Sequence, residues 1–377
     1  MRQTKTYLLI LPVAFVLLLI IPLFNDAFHF VEFDRNEENR SFTDSIEFNI
    51  NHLDDFPKNF NNYVNDNIIF RKPFLNLFHQ SKFYVFKTSP YPNKLIIGKN
   101  DWYFNAGKEK EIYEGLNQFN TLQLDSFSNE WKKRLHFIDS LNIKTYWLIA
   151  PMKHTIYPEE IPYNIVREKE NRTFQLKKRM NKDFHGLIID ANQLLKNAKD
   201  SIPVFYQTDN HWNFSAGEIV AKHLLDQFKK DFPNCNFGKT PKIEWEKKIK
   251  KDGIQTRLLG IEGLSEVYYT PSENTNYVSK EEKKYKFKGI ESFAYNWGYE
   301  KGFSNSKLTN GLRILIIRDS FGEQLMPFMR DSFEESLWIF DAWRYGLNKE
   351  IILEMKPDII LFLGLETHTE KILKSFE

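Results

Sequence analysis

The chain has 377 residues, a formal charge of +2, 42% apolar residues and a single cysteine, Cys235. A charge this close to balance argues against a nucleic-acid partner, and one cysteine excludes an internal disulfide or a multi-cysteine zinc site. With 34 phenylalanines there is ample material for a large core, which rules out disorder for the bulk of the chain.

Residues Tyr7 to Phe24 carry no charged side chain and as a helix would span roughly 27 Å, enough to cross a bilayer. Arg2 and Lys5 precede the run, and Asp26, Glu32 and Asp34 follow it. This bias predicts a single-pass anchor in the cell (inner) membrane, with the C-terminal body on the exported, periplasmic side. A cleaved signal peptide is the alternative, for which Asn25-Asp26-Ala27 is a poor cleavage site. The expected organisation is a cytoplasmic tip and anchor (1–30), a polar neck (31–66) and a body (67–377) carrying a Lys-rich loop insertion at about 232–310.

In the body, Asn67 to Phe86 has helical apolar spacing. Two β-rich runs flank Gly98-Lys99-Asn100-Asp101, which reads as a hairpin loop. An amphipathic helix over Thr121–Leu141 leads into the buried-strand composition of Ile143–Ile149. Lys153 and His154 follow that strand; ligands in open α/β sheets bind at the carboxyl ends of strands, so both are candidate site residues, with a solvated loop and a turn as the plain alternatives. Helix Phe174–Phe184, strand Leu187–Asp190, helix Ala191–Ala198 and the run Val204–Tyr206 come next. The lysine runs Lys247–Lys251 and Glu281–Lys284 predict solvated faces, a groove for an acidic polymer being the lesser alternative. Then come strand Leu312–Ile317, helix Glu323–Phe333, strand Leu337–Phe340, helix Lys349–Met355 and strand Ile359–Leu363. Alternating strands and helices predict an α/β fold with a mainly parallel sheet flanked by helices.

Two stretches carry chemistry. In Thr208-Asp209-Asn210-His211-Trp212-Asn213, a carboxylate two residues before a histidine can accept from imidazole Nδ1–H. That fixes the tautomer and leaves Nε2 to take a proton from a nucleophile. A capped loop in which His211 merely packs is the bland alternative. In Arg318-Asp319-Ser320-Phe321-Gly322, a serine stands between an apolar strand and a helix, where its hydroxyl is exposed and backbone N–H groups can face an oxyanion. A simple Asp319-Ser320 helix cap is the alternative there. Taken together in one α/β unit, the two stretches favour a Ser-His-Asp arrangement. His368, behind Glu366, is the competing base, while Glu366 and Tyr345 follow strand ends and are candidates to line the site. The remaining histidines show no His-x₃-His spacing, so no metal is expected, and no cofactor.

Glu38-Asn39-Arg40, Phe70-Arg71, Gly98–Phe104, Ala150–Lys153 with Tyr157-Pro158, Thr208–Asn213 with Gly217, and Arg318–Phe321 with Pro327-Phe328 occur in an order that resembles the SGNH-hydrolase-like proteins of the alginate O-acetyltransferase type. The resemblance implies an SGNH-hydrolase-like fold in the permuted order, with the Asp-x-His element before the serine. It also implies Ser320 as nucleophile, His211 as base and Asp209 as orienting acid. Arg318, Asp319, Lys153, Trp212, Asn213 and Tyr345 are the candidates to bind substrate or support the site. Arg318 stands where many SGNH proteins have glycine. The expected function is a membrane-anchored, exported O-acetyltransferase that passes acetyl through an acyl-serine to a polysaccharide. Its acetyl donor would be delivered by a membrane-bound O-acyltransferase. An exported carbohydrate acetylesterase is one alternative. A non-catalytic polysaccharide-binding protein, using aromatic loops such as Trp102-Tyr103 and Trp297-Gly298-Tyr299, is another.

Overall fold

Strand residues Lys144–Ala150 divide their side chains between two cores: Tyr146, Leu148 and Ala150 join one buried cluster, Trp147 and Ile149 the other. A strand alternates its faces with period two, so a continuously apolar strand has to be covered on both sides. The computed structural model describes residues 10–17, 20, 50–67, 71–251, 253–257, 259, 263–287 and 298–374. They fall into two units, Met1–Pro90 and Tyr91–Glu377.

In the first unit, residues 10–17 are helical and exposed. A 3₁₀ turn at Ile50–Asp55, helices Phe56–Asn67 and Arg71–Gln80, and a π-helical turn at Ser81–Val85 follow. Half of the expected anchor Tyr7–Phe24 and most of the neck lie outside the described residues. Among those described, no helix is long and apolar enough to cross a membrane.

The second unit opens with the expected hairpin, β1 (Leu95–Ile97) against β2 (Tyr103–Asn105). Strands β3 (Lys144–Ala150), β4 (Ile188–Asp190), β5 (Trp245–Lys251), β6 (Ser265–Pro271), β7 (Lys280–Glu281), β8 (Glu300–Ser304), β9 (Arg313–Arg318), β10 (Glu335–Phe340) and β11 (Ile359–Leu365) follow. A seven-stranded sheet has the order β4-β3-β11-β9-β10-β8-β7. Its first five strands are mutually parallel, and β8 runs antiparallel to both β10 and β7.

Helices α1 (Thr121–Asp139), α2 (Arg172–Asp183), α3 (Asn192–Ala198), α4 (Phe214–Asp231) and α5 (Lys349–Met355) cover the sheet. Phe127 and Trp131 of α1, Leu176 and Met180 of α2 and Ile351 and Ile352 of α5 fill one core, with Ile317 and Phe362 from the sheet. Leu195 of α3 and Val220, Leu224 and Phe228 of α4 fill the other, with Ile316 and Leu361. The sets on α1, α2 and α4 recur every four residues, which puts each on one side of its helix.

Two departures from the sequence expectation bear on the site. The region expected as Lys-rich loops contains the antiparallel hairpin β5–β6 as well as the edge strand β7 and its neighbour β8; lysine runs carry little strand propensity, so pairing decides here. The expected helix Glu323–Phe333 is replaced by a 3₁₀ turn at Ser320–Gln324 and a short helix at Met326–Met329. Pro327 lacks the N–H needed to bond back to Glu323, so a continuous helix cannot run through it.

The N-terminal turn of α4 approaches the Ser320–Gln324 turn closely. A Cβ on Gly217 would lie 2.0 Å from the Gln324 carbonyl oxygen. In an open helix Gly→Ala stabilises by about 1 kcal/mol. Here Gly217→Ala is expected to destabilise by about 1–3 kcal/mol through overpacking. Urea unfolding reads the sign directly, and a stabilised variant would show that the two elements separate without cost.

Candidate active site

Phe205 and Trp212 form an isolated antiparallel bridge, and Tyr206 N–H donates to the His211 carbonyl, so residues 206–211 make a tight loop at the foot of α4. Asn213 caps α4 by accepting from Ala216 N–H at 3.1 Å. Within the loop, Asp209 Oδ1 lies 2.6 Å from His211 Nδ1 and also accepts from the His211 backbone N–H at 3.2 Å. On the far side of the ring, His211 Nε2 lies 2.7 Å from Ser320 Oγ, which is 109 residues away in sequence. Phe321 packs beside the imidazole, with ring centroids 5.1 Å apart.

Asp209 is almost fully buried. Burial pushes its carboxyl upward, but the hydrogen bond and charge of His211, joined by Lys250, outweigh that and hold it well below the usual carboxylate range. Its second oxygen, Oδ2, meets Lys250 Nζ at 2.7 Å. This lysine belongs to β5, within the run read from sequence as a solvated face.

Ser320 begins the 3₁₀ turn after β9, and Asp319 caps that turn by accepting from Phe321 N–H at 2.9 Å. Asp319 Oδ2 accepts from Leu365 N–H at 2.8 Å and the Tyr345 hydroxyl at 3.0 Å, and lies 2.9 Å from His368 Nδ1. The cap and the partly exposed serine therefore coexist: Asp319 holds the turn, and Ser320 faces His211. His368, the competing base, is engaged with Asp319 and Tyr345. Glu366 accepts from Met152 N–H and the Thr155 hydroxyl.

The other residues singled out in the sequence are buried braces. Arg318 is fully buried and donates to Glu323 at 2.7 Å and to the Asp319 carbonyl at 3.1 Å. Trp212 Nε1–H donates to the Phe321 carbonyl at 2.8 Å, tying the histidine loop to the serine turn. The Lys153 ammonium meets the carbonyls of Tyr206, Gln207 and Asp209 and the side-chain oxygen of Gln255, at 2.7–3.1 Å. Burial draws it down to about 7, against the opposing pull of Glu266, Asp209 and Glu109. His154 is a core histidine between Phe104 and Tyr113, which burial lowers to about 3.

Trp102 and Tyr103, considered above for sugar stacking, are buried in the core. β2 pairs with β1, and the Trp102 ring lies tilted against Tyr157 with centroids 4.0 Å apart. Trp297 lies outside the described residues. Sequence reasoning missed Lys250, Glu266, Gln255 and Glu109. The alternation of Glu266 with Val267 in a β-rich run is the one local signal available for any of them.

Glu109 is buried, accepts from Asn105 Nδ2 at 2.7 Å and lies 3.4 Å from His154 Nδ1. Burial lifts its carboxyl from 4.5 to about 7, Asn105 and Lys153 opposing. The folded chain therefore binds this proton more tightly than the unfolded one. The resulting stability is fully present below about 4.5 and is lost as pH rises through about 7. Glu109→Gln should remove that slope. Its stability relative to wild type is expected to rise by roughly 3 kcal/mol between about pH 4 and about pH 8, as measured by urea unfolding across the range; a constant difference would refute the assignment.

A protein-family model described as "SGNH hydrolase-like domain, acetyltransferase AlgX" matches residues 95–290, just over half of the chain. The matched span holds Asp209 and His211, and Ser320 lies beyond it. No curated protein matches the sequence. Among solved structures, a DHHW family protein from Eubacterium siraeum is similar at TM-score 0.50 and 14% identity, covering 75% of this chain and 99% of that one. PatB1 from Bacillus cereus is similar at TM-score 0.49 and 15% identity, covering 71% and 94%. The O-acetyltransferase domain of AlgJ from Pseudomonas putida is similar at 0.48 and 13%, covering 75% and 95%. At such identities the Eubacterium likeness speaks for the fold, and the family match carries the assignment: the chain belongs to the AlgX-type SGNH-hydrolase-like acetyltransferase family.

Proposed function

We propose that the protein is an exported, membrane-anchored O-acetyltransferase acting on a polysaccharide through an acyl-serine at Ser320. The observation that carries the reading is the unbroken line from Asp209 Oδ1 through both ring nitrogens of His211 to Ser320 Oγ, at 2.6 and 2.7 Å. Asp209 keeps Nδ1 protonated, so Nε2 is the free lone pair.

The serine proton passes to Nε2 as Oγ attacks the acetyl carbonyl, and the imidazolium then protonates the departing oxygen. In the second half, a sugar hydroxyl gives its proton to Nε2, attacks the acyl-serine and releases Ser320. Phe321 N–H is taken by the Asp319 carboxylate and Gly322 N–H by its carbonyl, which leaves the Ser320 N–H as the turn's donor to the oxyanion. A membrane-bound O-acyltransferase would deliver acetyl, and an anchor at Tyr7–Phe24 would keep the domain beside it and raise its effective concentration.

Ser320→Ala is expected to lower acetylation of exported polysaccharide in intact cells by at least 10³-fold, within the range for loss of a nucleophile, and to abolish labelling by a serine-directed fluorophosphonate. Unchanged acetylation would sink the acyl-serine mechanism. Hydrolysis would use the same three groups with water as acceptor. The ratio of acetylated glycan to free acetate, with purified protein and an added acceptor, separates the two reactions.

A further inference from the structure

Lys250 and Glu266 stand directly opposite each other across β5 and β6, and this pair straddles the loop that carries Asp209 and His211. Glu266 accepts from Gln207 N–H at 2.7 Å, Thr208 N–H at 3.0 Å and the Thr208 hydroxyl. Lys250 takes the opposite part of the loop, with Nζ 2.7 Å from Asp209 Oδ2 and 4.2 Å from the centroid of the Tyr206 ring. The chain between the strands reinforces the grip. Gln255 N–H donates to the Thr208 carbonyl at 3.1 Å, and a Cβ on Gly253 would lie 2.3 Å from that same oxygen.

A carboxylate turns easily about its last bond, whose torsional preference is broad. With one oxygen held, the other is aimed. We propose that Lys250 is a positioning residue: by holding Asp209 Oδ2 it fixes Oδ1 against His211 Nδ1, and so sets the imidazole against Ser320. The hairpin is thus part of the reactive apparatus, acting through Asp209 and touching neither Ser320 nor the acyl group. This role rests on the acyl-serine reading given above. It follows from a charge-assisted bond to a carboxylate with almost no access to water, the setting in which such bonds are short and strong.

The test uses the full chain with Lys250→Met, which keeps the stem over Tyr206, and Lys250→Arg, which keeps the charge. Hydrolysis of para-nitrophenyl acetate gives kcat and KM, and proton NMR gives the downfield Nδ1–H resonance of His211. Lys250→Met is expected to lower kcat about tenfold, a loss of about 1.4 kcal/mol in transition-state stabilisation. KM should stay within about twofold, and the Nδ1–H resonance should broaden or vanish through exchange. Lys250→Arg should restore most of kcat and the resonance.

A Lys250→Met chain with unchanged kcat and an unchanged resonance would overturn the proposal. So would equal losses in both variants that simply follow a lowered Tm, since that is what support of the fold alone would give. Failure of the acyl-serine reading shows separately, as a wild-type chain whose Ser320 neither turns over the ester nor reacts with a fluorophosphonate. Even then the imidazole resonance, read without turnover, decides what Lys250 does to the Asp209–His211 pair.

Discussion

A buried carboxylate with two oxygens to satisfy governs the geometry of this site. Taking an ionised Asp209 out of water costs several kcal/mol unless partners of opposite charge or strong donors replace the lost hydration. His211 answers one oxygen and Lys250 the other. The loop backbone meets the same requirement from below, where the carbonyls of Tyr206, Gln207 and Asp209 converge on the buried ammonium of Lys153. The loop is therefore held between two lysines, one on its side-chain carboxylate and one on its main chain. Removing either leaves buried polar atoms without partners, a larger penalty than the bonds themselves contribute.

The serine side follows the same logic with a different acid. All four contacts of Asp319 are spent inside the fold, on the turn it caps, on the end of β11, on Tyr345 and on His368. Ser320 needs no help from its neighbour to point outward, and its hydroxyl is free to meet His211. Two rigid turns, each anchored by its own aspartate, then have to be brought together within a few tenths of an ångström. The Trp212 bond to the Phe321 carbonyl and the close seat of Gly217 on Gln324 do this. Neither contact involves a reacting atom.

Sequence reading reached the parts of this arrangement that are local. Strands β3, β9, β10 and β11 are short apolar runs between turn signals, and Asp209 and His211 are two residues apart, so one loop brings them together. Ser320 was marked by its place at a strand end. What could not be read depends on register. Whether Lys250 faces solvent or Asp209 is decided by its pairing with Glu266, and nothing in Lys247–Lys251 fixes that pairing in advance. The burial of Lys153 is equally silent, because it requires four oxygens from two separate segments to surround one nitrogen. Trp102 and Tyr103 misled for a related reason. Aromatic residues beside a hairpin loop look available, and only their burial, with Trp102 against Tyr157, shows where they turn.

The charge pattern also fits the symmetry of the proposed reaction. Passing an acyl group from one oxygen to another asks one imidazole to accept and return a proton twice, and so to keep its place between Asp209 and Ser320 through both halves. An aspartate held by His211 alone would be free to turn about its last bond between those transfers. Lys250 holds Oδ2 at 2.7 Å and so leaves Oδ1 in place to fix the tautomer. In the proposed cycle the imidazolium and the oxyanion at Ser320 appear and disappear together in each half. With its tautomer fixed in this way, the imidazole of the proposed cycle can return the proton in either half, to the leaving oxygen or to Ser320 once an acceptor has taken the acetyl group.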